Sequence, residues 1–158
     1  MKPLKTKRFL IKKFCFSDIT IDYLNWFKDP KNKFIVNKIE NIIKLKKYAL
    51  TQLINKKIYF FSIYYFKSKI HIGNIKLNKK NSTTYTLGIL IGNSKYQGKG
   101  VFYEVFLVLK KWIRKDTKIK VIRAGVDIDN INSISAFLKC GFKPISKNTK
   151  KITYEILL

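Results

Sequence analysis

The sequence predicts an α+β fold, with helices packed on a mixed, mostly antiparallel sheet of about seven strands. Two amphipathic helical segments follow a first strand, and three segments rich in aromatic and β-branched residues come after them without an intervening helix. A strand–helix–strand unit comes next, which predicts one parallel pair within the sheet. We therefore expect about four helices and a single domain over residues 1–158, a length that suits one domain core.

The composition is that of a folded and strongly basic protein. Hydrophobic residues make up 46% of the 158 residues and aromatic residues 15%, which argues against a disordered chain. Lys and Arg number 34 against nine Asp and Glu, and the formal net charge is +25. Such a surface attracts nucleic acids, anionic membranes and phosphorylated small molecules. Because the lysines are spread along the whole chain, we favour a composition bias and expect no specific nucleic-acid partner.

The sequence also leads to expectations about membrane segments, disulfides, metals, compartment and oligomeric state. No apolar run approaches the roughly 18 residues of a membrane-spanning helix, and no apolar signal segment follows the basic N-terminus. Cys15 and Cys140 lie far apart and do not suggest a disulfide framework. No metal is expected, since the sequence has no cluster with metal-ligand spacing. We expect a cytoplasmic protein that is a monomer or a homodimer.

The first elements are a strand and a short helix. Residues 7–14 alternate loosely and predict the first strand. Ser17 or Thr20 can cap a helix whose apolar positions have helical spacing over Ile21 to Phe27. The pair Asp29-Pro30 ends this helix, because the residue before a proline resists the α conformation.

The middle of the chain changes from helical to strand periodicity. A second helix is predicted over Ile39 to Asn55. Three strands are predicted over Ile58 to Phe66, Ile70 to Leu77 and Thr84 to Ile91. The polar segment 78–82 between the last two is of hairpin type, so these strands should be antiparallel.

The last third begins with the strand–helix–strand unit. A helix from about Gly98 to Arg114 leads into a strand over Lys118 to Val126, which should lie parallel to the strand before the helix. Asp129 or Asn130 caps a short helix through Lys139, and Gly141 follows it. Further strands begin at Phe142 and cover Ile152 to Leu158.

The segment Leu87 to Val101 carries the clearest functional signal. It is an apolar strand followed by a polar turn and a glycine-spaced start of a helix. Gly98 and Gly100 let the backbone approach a bulky anion closely. The N–H groups and the positive dipole end of the helix point back at this turn. The segment therefore predicts a pyrophosphate site at the carboxyl end of a strand.

Two motifs resemble those of the GCN5-related N-acetyltransferase (GNAT) superfamily. Gln97-Gly98-Lys99-Gly100 is similar to its Gln/Arg-x-x-Gly-x-Gly/Ala signature for acetyl-CoA. Asn130-Ile-Asn-Ser133, followed by Ala136 to Phe142, is similar to its Asn-x-x-Ser…Phe/Tyr-x-Lys-x-Gly-Phe segment. The two motifs stand about thirty residues apart with a strand between them, as in that superfamily. The resemblance implies a three-layer fold whose parallel pair of strands splays apart.

The resemblance implies a complete acetyl-CoA site. Backbone N–H groups of Gly98 to Phe102 would bind the pyrophosphate, and the strand end at Leu90 and Ile91 would bind the pantetheine arm. The implied cofactor-binding residues are Leu90, Ile91, Gln97, Gly98, Lys99, Gly100, Val101, Phe102, Asn130, Ser133 and Phe137. Two of them have plain structural alternatives: Asn130 as a helix cap, and Lys99 as a solvated side chain.

Two positions near the turn add detail to the resemblance. Phe102 stands where the signature has a second Gly or Ala, and its ring either crowds the phosphates or turns into the core. Glu104 matches an acidic position of the branch that resembles ribosomal-protein and amino-sugar acetyltransferases. A carboxylate in the first turn of any helix is an equally good interpretation of Glu104.

Catalysis departs from the superfamily pattern. Phe137 occupies the position of a tyrosine that protonates the leaving thiolate, and the strand Thr84 to Ile91 lacks the glutamate that serves other members as a base. Amine acetylation mainly needs proximity and a neutral amine. Asp127 is the candidate base, with a turn aspartate as the alternative. His71 and Cys140 are interpreted as packing residues.

The acceptor site is predicted at the N-terminal helices. Tyr23 and Trp26 resemble the opening of acetyltransferases that modify amino sugars on nucleotide carriers, although both rings could simply close the core. We expect acetyl transfer from acetyl-CoA to the amine of a nucleotide-linked amino sugar, by direct attack in a ternary complex. The alternatives are a protein N-terminal acetyltransferase of ribosomal type, a small-amine acetyltransferase, a non-catalytic acyl-CoA-binding module and a nucleic-acid-binding protein.

Overall fold

The computed structural model describes residues 2–158, and its centre is a twisted mixed sheet. Among these residues the sheet has eight strands in the order β1-β2-β3-β4-β5-β6-β8-β7. The strands are β1 Leu4–Lys5, β2 Phe9–Lys13, β3 Ile58–Tyr65, β4 Ile70–Lys79, β5 Thr84–Leu90, β6 Val121–Asp127, β7 Lys143–Lys147 and β8 Lys151–Leu157. The four described α-helices are α1 Ile21–Trp26, α2 Ile42–Ile54, α3 Val101–Asp116 and α4 Ile131–Lys139.

The N-terminal strand is the main departure from the expected elements. A two-residue strand, Leu4–Lys5, pairs antiparallel with β2 and brings the sheet to eight strands where about seven were expected. The turn between them has neither Gly nor Pro. The Thr6 hydroxyl accepts the backbone N–H of Phe9 at 2.8 Å and closes the turn instead. Because this hydroxyl takes the place of the usual turn residues, sequence patterning missed the hairpin.

Other boundaries shift by up to three residues: the second helix, expected from Ile39, begins at Ile42, and the strand expected from Lys118 begins at Val121. The helix expected from about Gly98 begins at Val101, since Gly98 and Gly100 have φ of +69° and +71° and cannot be helical. Thr20 caps α1 by accepting the N–H of Tyr23, and Ser17 lies in a preceding 3₁₀ turn.

Two apolar cores lie on opposite faces of the sheet. Successive residues of β3 alternate between them: Phe61 and Ile63 belong to the first core, and Phe60 belongs to the second. The first core also contains the buried stripe of α3 and residues of α4, β6 and β8. The second is smaller and contains residues of α1 and α2. The sheet therefore separates α3 and α4 from the N-terminal helices.

The parallel pair of strands is joined over a short distance. In the described chain β5 and β6 pair over Thr84–Thr86 and Val121–Arg123, although β5 continues to Leu90 and β6 to Asp127. Beyond the paired residues β5 stays bonded to β4, and β6 stays bonded to β8. The two strands therefore diverge and open a cleft through the sheet.

Among residues 2–158, no helix has the length and the hydropathy that a membrane-spanning segment requires.

Candidate active site

The cleft between the diverging strands has a volume of about 850 Å³ and joins the two faces of the sheet. One wall, the turn wall, consists of residues 90–91, 97–103 and 130–137. The opposite wall, the helix wall, consists of Tyr23, Phe27, Tyr48, Asn74 and Lys76, and all five line the cleft. A space of this size is typical of small-molecule and cofactor sites.

The turn wall offers backbone donors to an anion. At Gly98 a Cβ would meet nothing within 4 Å, and at Gly100 the nearest atom would be Arg8 Nη2 at 3.8 Å. Gly100 caps α3, and the first backbone bond back to it comes from Glu104 at 3.2 Å. Helix geometry therefore leaves the N–H groups of Val101–Tyr103 without partners inside the helix. This cradle of glycines and N–H groups fits the pyrophosphate of coenzyme A.

An ion pair braces the glycine turn from the N-terminal hairpin. Arg8 Nε donates to Glu104 Oε2 at 2.7 Å, and Arg8 Nη2 donates to the carbonyl oxygen of Lys99 at 2.9 Å. Glu104 Oε1 accepts the Thr6 hydroxyl and the Arg8 N–H. Burial alone would raise the pKa of Glu104, but these bonds outweigh it and lower that pKa below its ordinary value. Glu104 therefore holds the turn in place and does not face the cleft.

The side chain of Gln97 also fixes the turn. Its Nε2 donates to the Ile91 carbonyl at 2.8 Å and to Asn32 Oδ1 at 2.7 Å. Asn32 in turn donates to the carbonyls of Trp26 and Gly92, each at 3.0 Å. These bonds tie the end of α1, the end of β5 and the glycine turn into one unit. Gln97 thus acts on the backbone, while the Lys99 side chain is exposed.

The two phenylalanines of the turn wall point into the first core. Phe102 packs on Phe106 at 5.5 Å and on Phe137 at 4.8 Å between ring centroids. Its ring therefore turns towards the core, and its backbone N–H remains at the helix start. Phe137 and Val101 are buried in the same cluster. A phenyl ring at position 137 carries no proton for a leaving group.

Asn130 and Ser133 begin α4 at the edge of the cleft. Asn130 Oδ1 accepts the Ser133 N–H at 3.1 Å and so caps the helix. Both residues line the cleft, as do Leu90 and Ile91 at the end of β5. The cap uses the amide oxygen of Asn130, so the amide nitrogen keeps its capacity to donate to a ligand.

Asp127 ends β6 and lines the cleft, half-buried. Its Oδ1 accepts the N–H of Asp129 at 3.0 Å, the bond of a turn aspartate, and its second oxygen leaves it able to accept a proton. Cys140 is buried, and burial raises its pKa to about 12, which removes it as a nucleophile at neutral pH. Burial also lowers the pKa of His71, which lies in a cage of aromatic rings.

The two predicted acceptor residues lie at different depths. Tyr23 is 2% exposed and lines the cleft, whereas Trp26 is 5% exposed and packs behind the helix wall against His71. A Cβ on Gly92 would collide with the Trp26 ring at 2.0 Å, so Gly92 is what allows the indole to pack there. Trp26 thus supports the wall, and Phe27 and Tyr48 present aromatic surface at its front.

A buried carboxylate anchors the second core below the helix wall. Asp18 is fully buried and accepts hydrogen bonds from Ser62, Tyr64 and the Cys15 N–H, with Lys12 Nζ at 3.1 Å. Burial alone would raise its pKa, but these bonds outweigh it and lower the pKa below the ordinary value. The ring of Tyr64 stacks on His71, so the anchor reaches the wall.

The lining of the cleft is basic. Among the described residues that line it are four lysines and one carboxylate: Lys31, Lys76, Lys139, Lys151 and Asp127. Lys76 lies on the helix wall and donates to the Tyr48 hydroxyl at 3.2 Å and to Gln52 Oε1 at 3.3 Å. Both partners are neutral, so the charge of Lys76 remains available to an anion.

Sequence reasoning missed several residues of the site. Arg8, Asn32, Tyr48 and Lys76 lie far apart along the chain and belong to no motif. Asn74 lies in Ile72-Gly-Asn-Ile75, a softer match to the superfamily that implies no role for it. Only the folded sheet brings β4 beside α2 and the hairpin beside α3. The alternation of polar Asn74 and Lys76 within an apolar strand was the one available signal, since it marks a face with polar contacts.

The sequence matches a family model described as an acetyltransferase (GNAT) domain over residues 8–143. Comparison with curated proteins gives no match. Among solved structures, a GNAT-family acetyltransferase from Bacillus anthracis superposes with a TM-score of 0.86 at 23% identity, covering 98% of both chains.

Two further similar structures are of acetyltransferases that are named by what they acetylate. The spermidine N-acetyltransferase of Vibrio cholerae, in complex with CoA and spermine, has a TM-score of 0.74 at 17% identity over 95% of each chain. A ribosomal-protein-S5-alanine acetyltransferase from Vibrio fischeri has a TM-score of 0.80 at 14% identity, covering 99% of this chain and 97% of its own. At these sequence identities, the three similarities show a shared fold and do not assign a substrate to this chain.

Proposed function

The chain belongs to the GNAT acetyltransferase family, and on that premise we propose that it acetylates the primary amine of a nucleotide-linked amino sugar. As a member of this family it is an acyltransferase, and acetyl-CoA is its acetyl donor. The fold and the glycine turn agree with that donor. The choice of acceptor rests on the cleft itself.

The observation that carries the proposal is the charge of the cleft. Lys76 stands on the helix wall with neutral partners, beside the aromatic rings of Tyr23, Phe27 and Tyr48. A cation beside aromatic rings suits a ligand with a diphosphate and rings that stack. A polyamine would meet a lysine here and would lack a matching carboxylate on this wall. The wall therefore favours an anionic acceptor.

In this proposal, different residues of the cleft bind the cofactor and accept the proton. The N–H groups of Val101–Tyr103 and the turn of Gly98 and Gly100 would hold the cofactor pyrophosphate, and the end of β5 would hold its pantetheine arm. Bound there, acetyl-CoA supplies the thioester carbonyl carbon, to which the amine adds as the carbon–sulfur bond breaks. Asp127 would accept the proton that the amine gives up, directly or through water. No acid is assigned to the thiolate, since Phe137 has no proton to give.

An acceptor panel tests the proposal. The purified protein is incubated with acetyl-CoA and, separately, a uridine-diphosphate amino sugar, the free amino sugar, spermidine and a peptide with a free N-terminal alanine, and thiol release is followed. We expect kcat/KM for the nucleotide-linked sugar to exceed that for the free sugar by at least about tenfold, the worth of one favourable ionic contact. A preference for spermidine or for the peptide overturns the assignment. Binding of acetyl-CoA without thiol release from any acceptor supports a non-catalytic module.

A pair of lysine variants sharpens the test. Lys76→Met removes the charge on the helix wall, and Lys79→Met removes a charge from the same strand outside the cleft. We expect Lys76→Met to raise KM for the nucleotide-linked sugar by about tenfold and to leave KM for the free sugar unchanged. Lys79→Met should change neither value. Equal effects of the two variants would mean that the general positive field, and not Lys76, attracts the acceptor.

A further inference from the structure

Asn74 presents a buried polar group to the cleft with no partner of its own. The side chain is 5% exposed and lines the helix wall. Among residues 2–158, its amide nitrogen Nδ2 has no hydrogen-bond partner. Buried amide groups are normally paired, because an unpaired one loses its bonds to water without replacement. An orphan amide that borders a ligand cleft indicates that the ligand supplies the missing partner.

His71 fixes which end of the Asn74 amide faces the cleft. His71 Nε2 lies 2.9 Å from Asn74 Oδ1 and 3.1 Å from the Gly73 carbonyl oxygen. Both neighbours accept, the Gly73 oxygen necessarily so, and therefore Nε2 carries the hydrogen. Turning the amide over would set its NH₂ group against this N–H. The His71 ring is itself held between Tyr64 and Trp26. The amide oxygen is thus committed to His71, and the NH₂ group is left to the cleft.

The position of Asn74 in the sheet places this donor beside the end of β5, where the pantetheine arm is proposed to bind. Asn74 lies opposite Leu90 in the β4–β5 register, at the end of β5 where the cleft opens. The Tyr23 hydroxyl lies beside the amide, but Nδ2 makes no hydrogen bond of acceptable geometry to it. Burial raises the pKa of Tyr23, so the phenol stays protonated. The amide therefore lies on the face of the sheet that carries the helix wall.

We propose that Asn74 Nδ2 donates a hydrogen bond to a neutral oxygen of the acceptor, adjacent to its amine, and thereby sets acceptor specificity. An N–H donor attracts a hydroxyl or carbonyl oxygen and repels an ammonium group. The bond therefore orients the acceptor with its oxygen towards β4 and its amine away from Asn74. A site built to bond an oxygen rejects analogues that lack it, because Asn74 then stays unpaired. His71 acts through Asn74 as a positioning residue. The inference rests on the proposed amino-sugar acceptor.

The test compares two acceptors in wild type and three variants. The acceptors are a uridine-diphosphate amino sugar and its deoxy analogue without the hydroxyl next to the amine. The proteins are wild type, Asn74→Leu, and Asn78→Leu as a control on the same strand outside the cleft. Asn74→Asp serves as a second variant of nearly the same size, which keeps an oxygen for His71 and removes the donor. Thermal unfolding establishes that each protein is folded.

The expected result is a loss of discrimination in the Asn74 variants. Wild type and Asn78→Leu should prefer the hydroxylated acceptor by at least about tenfold in kcat/KM, and Asn74→Leu and Asn74→Asp should accept both equally. Calorimetry should find CoA affinity unchanged within about twofold in all four proteins. His71→Phe, which frees the amide to turn over, should reduce the preference to an intermediate value.

Three outcomes would overturn the inference in distinguishable ways. If wild type does not acetylate the nucleotide-linked sugar, the proposed function fails and this inference fails with it. If wild type acetylates it and the Asn74 variants keep the preference for the hydroxyl, the inference alone fails. If CoA affinity falls along with the preference, Asn74 serves the cofactor and not the acceptor.

Discussion

The two walls of the cleft are built from different parts of the polypeptide. The turn wall binds mainly through backbone: two glycines with positive φ, the first N–H groups of α3 and the end of β5. The helix wall consists of side chains from α1, α2 and β4. Backbone geometry depends on few residue identities, whereas a side-chain wall changes with every substitution. One wall is therefore suited to an invariant cofactor and the other to a particular acceptor.

The walls also differ in how they are held. The Arg8–Glu104 pair, which is partly exposed, and the Gln97 amide brace the turn wall from outside the core. The helix wall rests on the buried Asp18 anchor and the aromatic cage of His71. We expect changes at the turn wall to act on cofactor affinity, and changes under the helix wall to act on stability and acceptor choice.

The largest expected effect is at Asp127, which lines the cleft at the end of β6. Asp127→Asn keeps the oxygen that accepts the Asp129 N–H and removes the proton acceptor. We expect kcat to fall by about 100-fold, the ordinary worth of a general base, with little change in CoA affinity. Steady-state kinetics with calorimetry measures both. Asp129→Asn, two residues further along and exposed, is the control. An unchanged kcat in Asp127→Asn would assign Asp127 to the turn alone.

The next effect tests the turn wall. Gly100→Val puts a β-branched residue at a φ of +71° and fills the approach to the N–H groups of α3. We expect CoA affinity to fall by about tenfold or more, measured by calorimetry. Gly141→Val is strained in the same way, at φ +86°, but lies outside the cleft lining. It should lose thermal stability and keep its CoA affinity, and similar losses of affinity in both would contradict the placement of the phosphates.

A smaller effect is expected from the outer brace. Arg8→Met breaks the bonds to Glu104 and to the Lys99 carbonyl, which loosens the turn. Because the pair is partly exposed, we expect only about a fivefold loss of CoA affinity. Arg123→Met is a matched control, since Arg123 pairs with Glu155 at the same 2.7 Å and similar exposure on β6 and β8. If both variants bind CoA equally well, the brace does not shape the cofactor site.

The smallest effect concerns the anchor below the helix wall, whose contribution to stability is lost in acid. The pKa of Asp18 is lowered in the folded protein, so its contribution to stability is present above the unfolded value of 3.8 and is lost as the pH falls through the folded pKa. Denaturant unfolding at a series of pH values should show this acid loss in wild type and a weaker one in Asp18→Asn. Asp22→Asn, an exposed carboxylate of α1, should follow wild type. Identical acid profiles for Asp18→Asn and wild type would argue against the anchor.

The turn wall could be predicted from sequence because its requirements are local. Glycine spacing before an amphipathic helix and a parallel crossover specify the turn, and the structure confirms the parallel pair and the GNAT fold. The direction of the Phe102 ring could not be predicted, since it depends on Phe106 and Phe137 across the core.

The helix wall could not be predicted because its contacts join distant segments. Lys76 bonds to Tyr48 and Gln52, which are 28 and 24 residues away, and neither pair forms a motif. Trp26 shows the opposite case. Its position in the sequence suggested a contact with the acceptor, but its ring is buried against Gly92. The alternation of residues along a strand predicts on which face of the sheet a side chain lies, but it does not predict which side chains it contacts there.

The short pairing between β5 and β6 has a consequence for amide hydrogen exchange. Beyond Thr86, alternate N–H groups of β5 point towards a strand that has already turned away. In the free protein these amides should exchange with deuterium faster than those bonded to β4. A pantetheine arm lying along this edge would act as a temporary neighbouring strand and slow them. Deuterium uptake over residues 87–91 is therefore a direct footprint of cofactor binding that needs no acceptor.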